Sequence, residues 1–149
     1  MLQELQEKLY QKYPDIFVQN NYGQYQSTIY CEITCGDGWY NLIDRLCGQI
    51  MSHVVNHNNY IDFKIKQGKV NDLPEKLDAV KAVQVKEKFG GLRFYVSGGD
   101  ERIDGAISMA ESISYCICET CGNKGSQTKV GWIRTLCENC LENHKNRTF

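Results

Sequence analysis

The sequence predicts an α+β fold: a small antiparallel sheet with two or three helices, followed by a cysteine-rich C-terminal element. Three observations predict it. Apolar residues recur at helical spacing along residues 39–56, two alternating runs flank Gly90-Gly91, and four cysteines form two close pairs in the last third of the chain. The chain has 149 residues, 42% of them hydrophobic and 23% charged, which suits one core with a small appendage. The expected division is an α+β domain over 1–115 and a smaller element over 116–149 packed on it.

Taken in order, residues 1–13 read as a short helix, because Leu2, Leu5, Leu9 and Tyr10 recur at helical spacing and Pro14 stops the pattern. Residues 16–35 are rich in Tyr, Ile, Val and Thr, broken by Asn-Asn-Tyr-Gly at 20–23, and read as strand or extended loop. Cys35-Gly36-Asp37-Gly38-Trp39 is a turn, and Asp37 or Gly38 starts the longest helix, about 39–56. Its stripe is Trp39, Leu42, Ile43, Leu46, Ile50 and Val54. Within the polar stretch 57–80, the alternation of Ile61, Phe63 and Ile65 suggests a strand, followed by a connection through Pro74.

Residues 82–97 read as a β-hairpin with Gly90-Gly91 as its two-residue turn, since glycines supply the positive φ angles of a tight primed turn. That register pairs Phe89 with Leu92, Lys88 with Arg93, Lys86 with Tyr95 and Val85 with Val96. One face then carries Val83, Val85, Glu87, Phe89, Leu92, Phe94 and Val96. The other carries Gln84, Lys86, Lys88, Arg93, Tyr95 and Ser97. Glu87 points with the apolar set and needs a partner or water; Arg45 on the long helix is a candidate. Residues 100–115 read as a helix with Ile103, Ala106, Ile107, Ala110 and Ile113 on one stripe and Asp100-Glu101 at its N-terminus.

The cysteine pairs are Cys118-x2-Cys121 and Cys137-x2-Cys140, separated by fifteen residues. Two such pairs at this separation are a zinc signature, because each tight turn aims two sulfurs at one tetrahedral ion. Four thiolates close the coordination sphere, so the expected role is structural Zn²⁺ rather than catalytic. Between the pairs, a turn at 123–126 and Thr128, Val130, Trp132 and Ile133 fit a hairpin, and Leu141–Lys145 fit a short helix. With the helix the element is a treble clef; without it, a zinc ribbon. His144, four residues past Cys140, could replace a cysteine ligand or sit in solvent. Cys31 and Cys35 could join Cys47 or His53 in a second site, or be buried thiols. Cys47 with His53 or His57 lacks the ordering third group of a protease centre.

Charge narrows the function classes. The net charge is −1, with 3 basic and 6 acidic residues in 1–60, 9 of each in 61–115, and 5 and 3 in 116–149. That balance counts against an extended nucleic acid as partner. Lys86, Lys88 and Arg93 nevertheless form a local cationic cluster beside Tyr95. A small phosphorylated ligand would relieve their repulsion, with Tyr95 or Trp39 to stack on a base and Arg45 nearby. The alternative is a solvated face neutralised by acidic neighbours. No triad, phosphate-cradling glycine loop or open metal site is legible, so the reading leans away from an enzyme. No apolar run is long enough to cross a bilayer, and Met1–Lys8 lacks the pattern of a secretion signal. The expected setting is the cytoplasm, where eight cysteines favour metal or reduced thiols over disulfides.

The string Val85-Lys86-Glu87-Lys88-Phe89-Gly90-Gly91-Leu92-Arg93-Phe94-Tyr95, with Cys35-Gly36-Asp37-Gly38-Trp39-Tyr40 before it and the paired cysteines after it, resembles a family of small proteins of tailed phages and prophages. The likeness spans about residues 35–140. That family carries no catalytic residues across. The resemblance implies an accessory protein in a bacterial host's cytoplasm. By analogy it suggests counter-defence by sequestering a cyclic-nucleotide or ADP-ribose type signal. A protein-binding inhibitor of a host factor and a zinc-dependent nucleic-acid-binding protein are the alternatives. Self-association is left open.

Overall fold

The computed structural model describes residues 1–19, 29–129 and 131–146. The Asn-Asn-Tyr-Gly break and Val130 lie outside the described residues. The fold is α+β, as the patterning predicts. Helix α1 (Gln3–Lys12) ends at Tyr13, and Pro14 both stops it and opens a second short helix, α2 (Pro14–Phe17). Strands β1 (Val18–Gln19) and β2 (Ile29–Tyr30) pair with each other, and β3 (Ile33–Thr34) follows. A 3₁₀ turn over Asp37–Trp39 leads into α3 (Tyr40–Lys66).

Helix α3 corrects the predicted strand at Ile61–Ile65. Ile43, Leu46, Cys47, Ile50 and Ile61 are buried along one stripe, while Phe63 and Ile65 are exposed. Ile61 therefore belongs to a helical period, and the apparent alternation comes from two solvent-facing residues beside it. No proline interrupts the run, and the helix closes at Gly68, whose φ is +73°. Asn58 then pins the following connection, accepting from the Leu77 N–H (2.8 Å) and donating to the Leu77 carbonyl (2.9 Å).

Strands β4 (Lys81–Lys88) and β5 (Gly91–Ser97) form the hairpin. β3 joins β4 in parallel, giving the order β3-β4-β5, so the sheet is mixed rather than wholly antiparallel. The turn is Phe89-Gly90, not Gly90-Gly91: their φ angles are +52° and +77°, and Lys88 pairs with Gly91. Gly91 is needed for another reason. A Cβ there would lie 2.3 Å from the Tyr115 ring. The register moves by one residue on each strand, which preserves the faces: Val85 opposes Phe94, Glu87 opposes Leu92, and Lys86 opposes Arg93. Two assignments change. A bulge between Ala82 and Gln84 buries Ala82 and turns Val83 outward, and Phe89 is exposed at the turn.

Helix α4 (Glu101–Ser114) packs on β5 and α3, with the Asp100 carboxylate capping it by accepting from the Ile103 N–H (3.1 Å). It also covers the sheet edge. The Leu92 N–H donates to Ser114 Oγ and the Phe94 N–H to Glu111 Oε1, both at 2.9 Å. At the opposite edge the Ile33 N–H donates to Gln6 Oε1 (3.2 Å). The core gathers Leu9, Ile16, Phe17, Trp39, Ile43, Val85, Phe94 and Ile103 between sheet and helices. The chain closes with β6 (Ser126–Gln127), β7 (Thr135–Leu136) and α5 (Glu138–Asn146). Among the described residues no helix is long and apolar enough to cross a membrane.

Candidate metal centre and cationic hairpin face

The four paired cysteines converge. The first pair lies in a knuckle: the Gly122 N–H donates to the Cys118 carbonyl (2.9 Å), and Gly122 takes a φ of +81° that suits glycine. The Cys118 N–H donates to the Asn123 carbonyl (2.7 Å), closing the loop. The second pair brackets the start of α5, where the Leu141 N–H donates to the Cys137 carbonyl (2.9 Å). Knuckle, hairpin β6–β7 and helix α5 follow one another in treble-clef order.

The Sγ atoms of Cys118, Cys121, Cys137 and Cys140 lie within 4.8 Å of one another. Those of Cys121 and Cys137 are 3.6 Å apart, too far for a disulfide. A tetrahedral ion with metal–sulfur bonds of about 2.3 Å spaces its sulfurs about 3.8 Å apart, so the geometry fits a shared metal ion. Burial alone would raise the Cys118 thiol. The backbone N–H groups of Cys137, Cys121 and Thr120 overcome that and bring it down to about 7, favouring thiolate. The Cys140 thiol is pushed up to about 12, first by desolvation and then by hydrogen bonding with the neighbouring thiols. Four adjacent sulfurs cannot all ionise unless a cation sits among them.

The motif at 35–39 docks against this centre. The Gly38 N–H donates to the Glu119 carbonyl (2.8 Å), and the Gly36 N–H to Glu119 Oε1 (3.0 Å). A Cβ on Gly38 would lie 2.1 Å from the Cys118 carbonyl oxygen, and one on Gly36 2.2 Å from that of Glu119. Both glycines are therefore required by backbone contact across the fold. Trp39 is fully buried and donates from Nε1 to the Ile117 carbonyl (2.9 Å). Sequence reasoning missed Glu119 and Arg134. The buried Glu119 carboxylate meets Arg134 Nη2 at 3.4 Å and ties knuckle to hairpin. No periodicity or spacing marks either residue.

The same element holds the β4–β5 turn. Thr135 Oγ1 donates to the Gly90 carbonyl (2.5 Å) and Gln127 Nε2 to the Phe89 carbonyl (3.1 Å). From inside the turn, Glu87 Oε1 accepts from the Gly90 N–H (2.7 Å). Glu87 thus finds a backbone partner rather than Arg45, which is exposed on α3.

On the outer hairpin face, Lys86 stands directly opposite Arg93, with Lys88 one step along the same face. The Lys86 ammonium lies 6.0 Å from the ring centre of Tyr95, and Arg93 donates to the Tyr115 hydroxyl (3.0 Å). Among the described residues none of these three cations has a carboxylate within ion-pair distance. Glu111, which acts electrostatically on Arg93, is engaged by the Phe94 N–H. Lys86, Lys88, Arg93 and Tyr95 are brought together on the hairpin; Trp39 is enclosed in the core and offers no free ring face to stack on a base, and Arg45 is an exposed residue of α3.

The remaining cysteines do not assemble a second sulfur site among the described residues. Cys31, Cys35 and Cys47 are buried, and burial pushes all three thiols up, Cys35 to about 12. A thiol so raised is a poor nucleophile, which removes the Cys47–histidine pairing. His144 lies outside the four-sulfur group and lines a cleft of about 340 Å³ with Thr120, Arg134 and Cys140. Comparison with protein-family models, curated proteins and solved structures finds no match to this chain.

Proposed function

We propose that this is a zinc-stabilised binding protein that takes a phosphate-bearing ligand on the outer face of the β4–β5 hairpin. The observation that carries it is the Lys86–Arg93 cross-strand pair, with Lys88 adjacent and no acidic partner at ion-pair distance among the described residues. Like charges directly opposed destabilise a strand pair, and a bound anion relieves that repulsion through charge-assisted hydrogen bonds. Tyr95 supplies a half-open ring beside the cations, suited to a base. Zinc is the metal the four-thiolate donor set favours for a closed, redox-silent structural role. The phage resemblance sets this binding role in a bacterial cytoplasm, as counter-defence against a cyclic-nucleotide or ADP-ribose type signal.

Calorimetry with cyclic nucleotides and ADP-ribose derivatives tests the reading. Binding should fall at least tenfold in a Lys86→Glu/Arg93→Glu variant and weaken as salt rises. Heat that is absent for every such ligand, or undiminished in the variant, would sink it. A second reading, an inhibitor docking on an acidic protein surface, is favoured by Val83 and Phe89. They stand 60% and 63% exposed and add apolar area to the hairpin. Co-purification with a host protein that is lost in a Val83→Ser/Phe89→Ser variant would select it.

A further inference from the structure

A second cluster of metal-ligating side chains lies away from the cysteines. His53 and His57 stand one turn apart on α3, and Asp100 caps α4 beside them. One donor atom from each lies within 4.8 Å of the other two. His53 Nε2 and Asp100 Oδ2 are 2.7 Å apart, and the two imidazole rings are 5.9 Å apart, centre to centre. All three residues are half-buried: held in place yet reachable from solvent.

We propose that His53, His57 and Asp100 form a second, open site for a divalent first-row transition metal, independent of the four-cysteine centre and of the hairpin reading. Two imidazoles and one carboxylate suit Zn²⁺, Co²⁺ or Ni²⁺. Three protein ligands leave a coordination position for water or a small anion. The surroundings supply what a metal-bound histidine needs. His57 Nε2 is 2.8 Å from the Glu75 carbonyl, so the neutral ring donates there, fixing its tautomer and orientation and leaving the Nδ1 lone pair free.

The metal takes the place of the hydrogen bond between His53 and Asp100. Tetrahedral bonds of about 2.0–2.1 Å separate two ligand atoms by about 3.3 Å, so the 2.7 Å pair needs to part by about 0.6 Å. His53 also lines a cleft of about 170 Å³ with Gln49, Ser52, Asn56 and Arg102. Ile50, Ile103 and Ala106 complete that lining, and the cleft opens the His53 side of the site to solvent. The ion would tie the middle of α3 to the start of α4. This is the kind of open metal site that sequence spacing did not disclose, because Asp100 is 47 residues from His53.

The test is a Co²⁺ titration of the whole protein with its cysteine site already filled with zinc. One further equivalent should bind, with ligand-field absorption but no thiolate charge-transfer band, and the melting temperature should rise with added Co²⁺. A His53→Gln/His57→Gln variant should lose that equivalent while keeping its zinc. Asp100→Asn, which preserves the helix cap, should weaken it about tenfold. Saturation without a second equivalent, or a second equivalent that persists unchanged in the double-histidine variant, overturns the proposal.

Discussion

Gly38 and Gly105 show how one substitution carries opposite signs. A methyl group on Gly38 meets the Cys118 carbonyl at 2.1 Å, a backbone atom that cannot yield without moving the knuckle. Gly38→Ala should cost about 3 kcal/mol and reduce metal uptake, checked by denaturant unfolding alongside metal content. Gly105 lies inside α4 with nothing within 4 Å of an added Cβ. Gly105→Ala should gain about 0.5–1 kcal/mol in the same assay. Phe89 is the third telling residue. Its left-handed backbone costs about 1 kcal/mol, and asparagine accepts the conformation more readily. Phe89→Asn should raise the unfolding midpoint. If the exposed ring serves docking, the same change should weaken the partner, which separates strain kept for function from strain without one.

At the scale of elements, legibility followed locality. Helix α4 was readable because its cap and stripe lie within fifteen residues, and the hairpin because alternation and glycines are adjacent. The end of α3 was not. The polar stretch from residue 57 and the alternation of Ile61, Phe63 and Ile65 suggested a strand there, yet Asn58 spends its amide on Leu77, a contact that only the folded chain creates. The turn was misplaced by one residue for a similar reason: the ring that demands Gly91 comes from Tyr115. The cap of α4 carries a pH prediction. Asp100 sits below the ordinary carboxylate range, chiefly through its hydrogen bond with His53 and then the Ile103 N–H, against some desolvation. Its contribution is therefore complete above the unfolded value of about 3.9 and disappears as pH falls through the lower folded value. The acid limb of a melting-temperature profile should flatten in Asp100→Asn, while Asp100→Ala should lose about 1 kcal/mol at neutral pH.

Across the whole molecule, the C-terminal element is joined to the rest by backbone contacts rather than a loose tether. Removing the metal should therefore be felt far from the sulfurs. Chelation is expected to lower the melting temperature and to expose the Trp39 indole N–H, now bonded to the Ile117 carbonyl, to hydrogen exchange. The four-cysteine cluster could be read from spacing because each pair is local. The seat it rests on, Gly36 and Gly38 against residues 118–122, could not, because it joins positions about eighty apart. A last consequence belongs to the two sheet borders. Gln6 answers the Ile33 N–H on one side, and Ser114 and Glu111 answer Leu92 and Phe94 on the other. These N–H groups are already taken and cannot template an incoming strand. Copies of this protein therefore have no ready route to fibrillar growth by strand recruitment through those three positions.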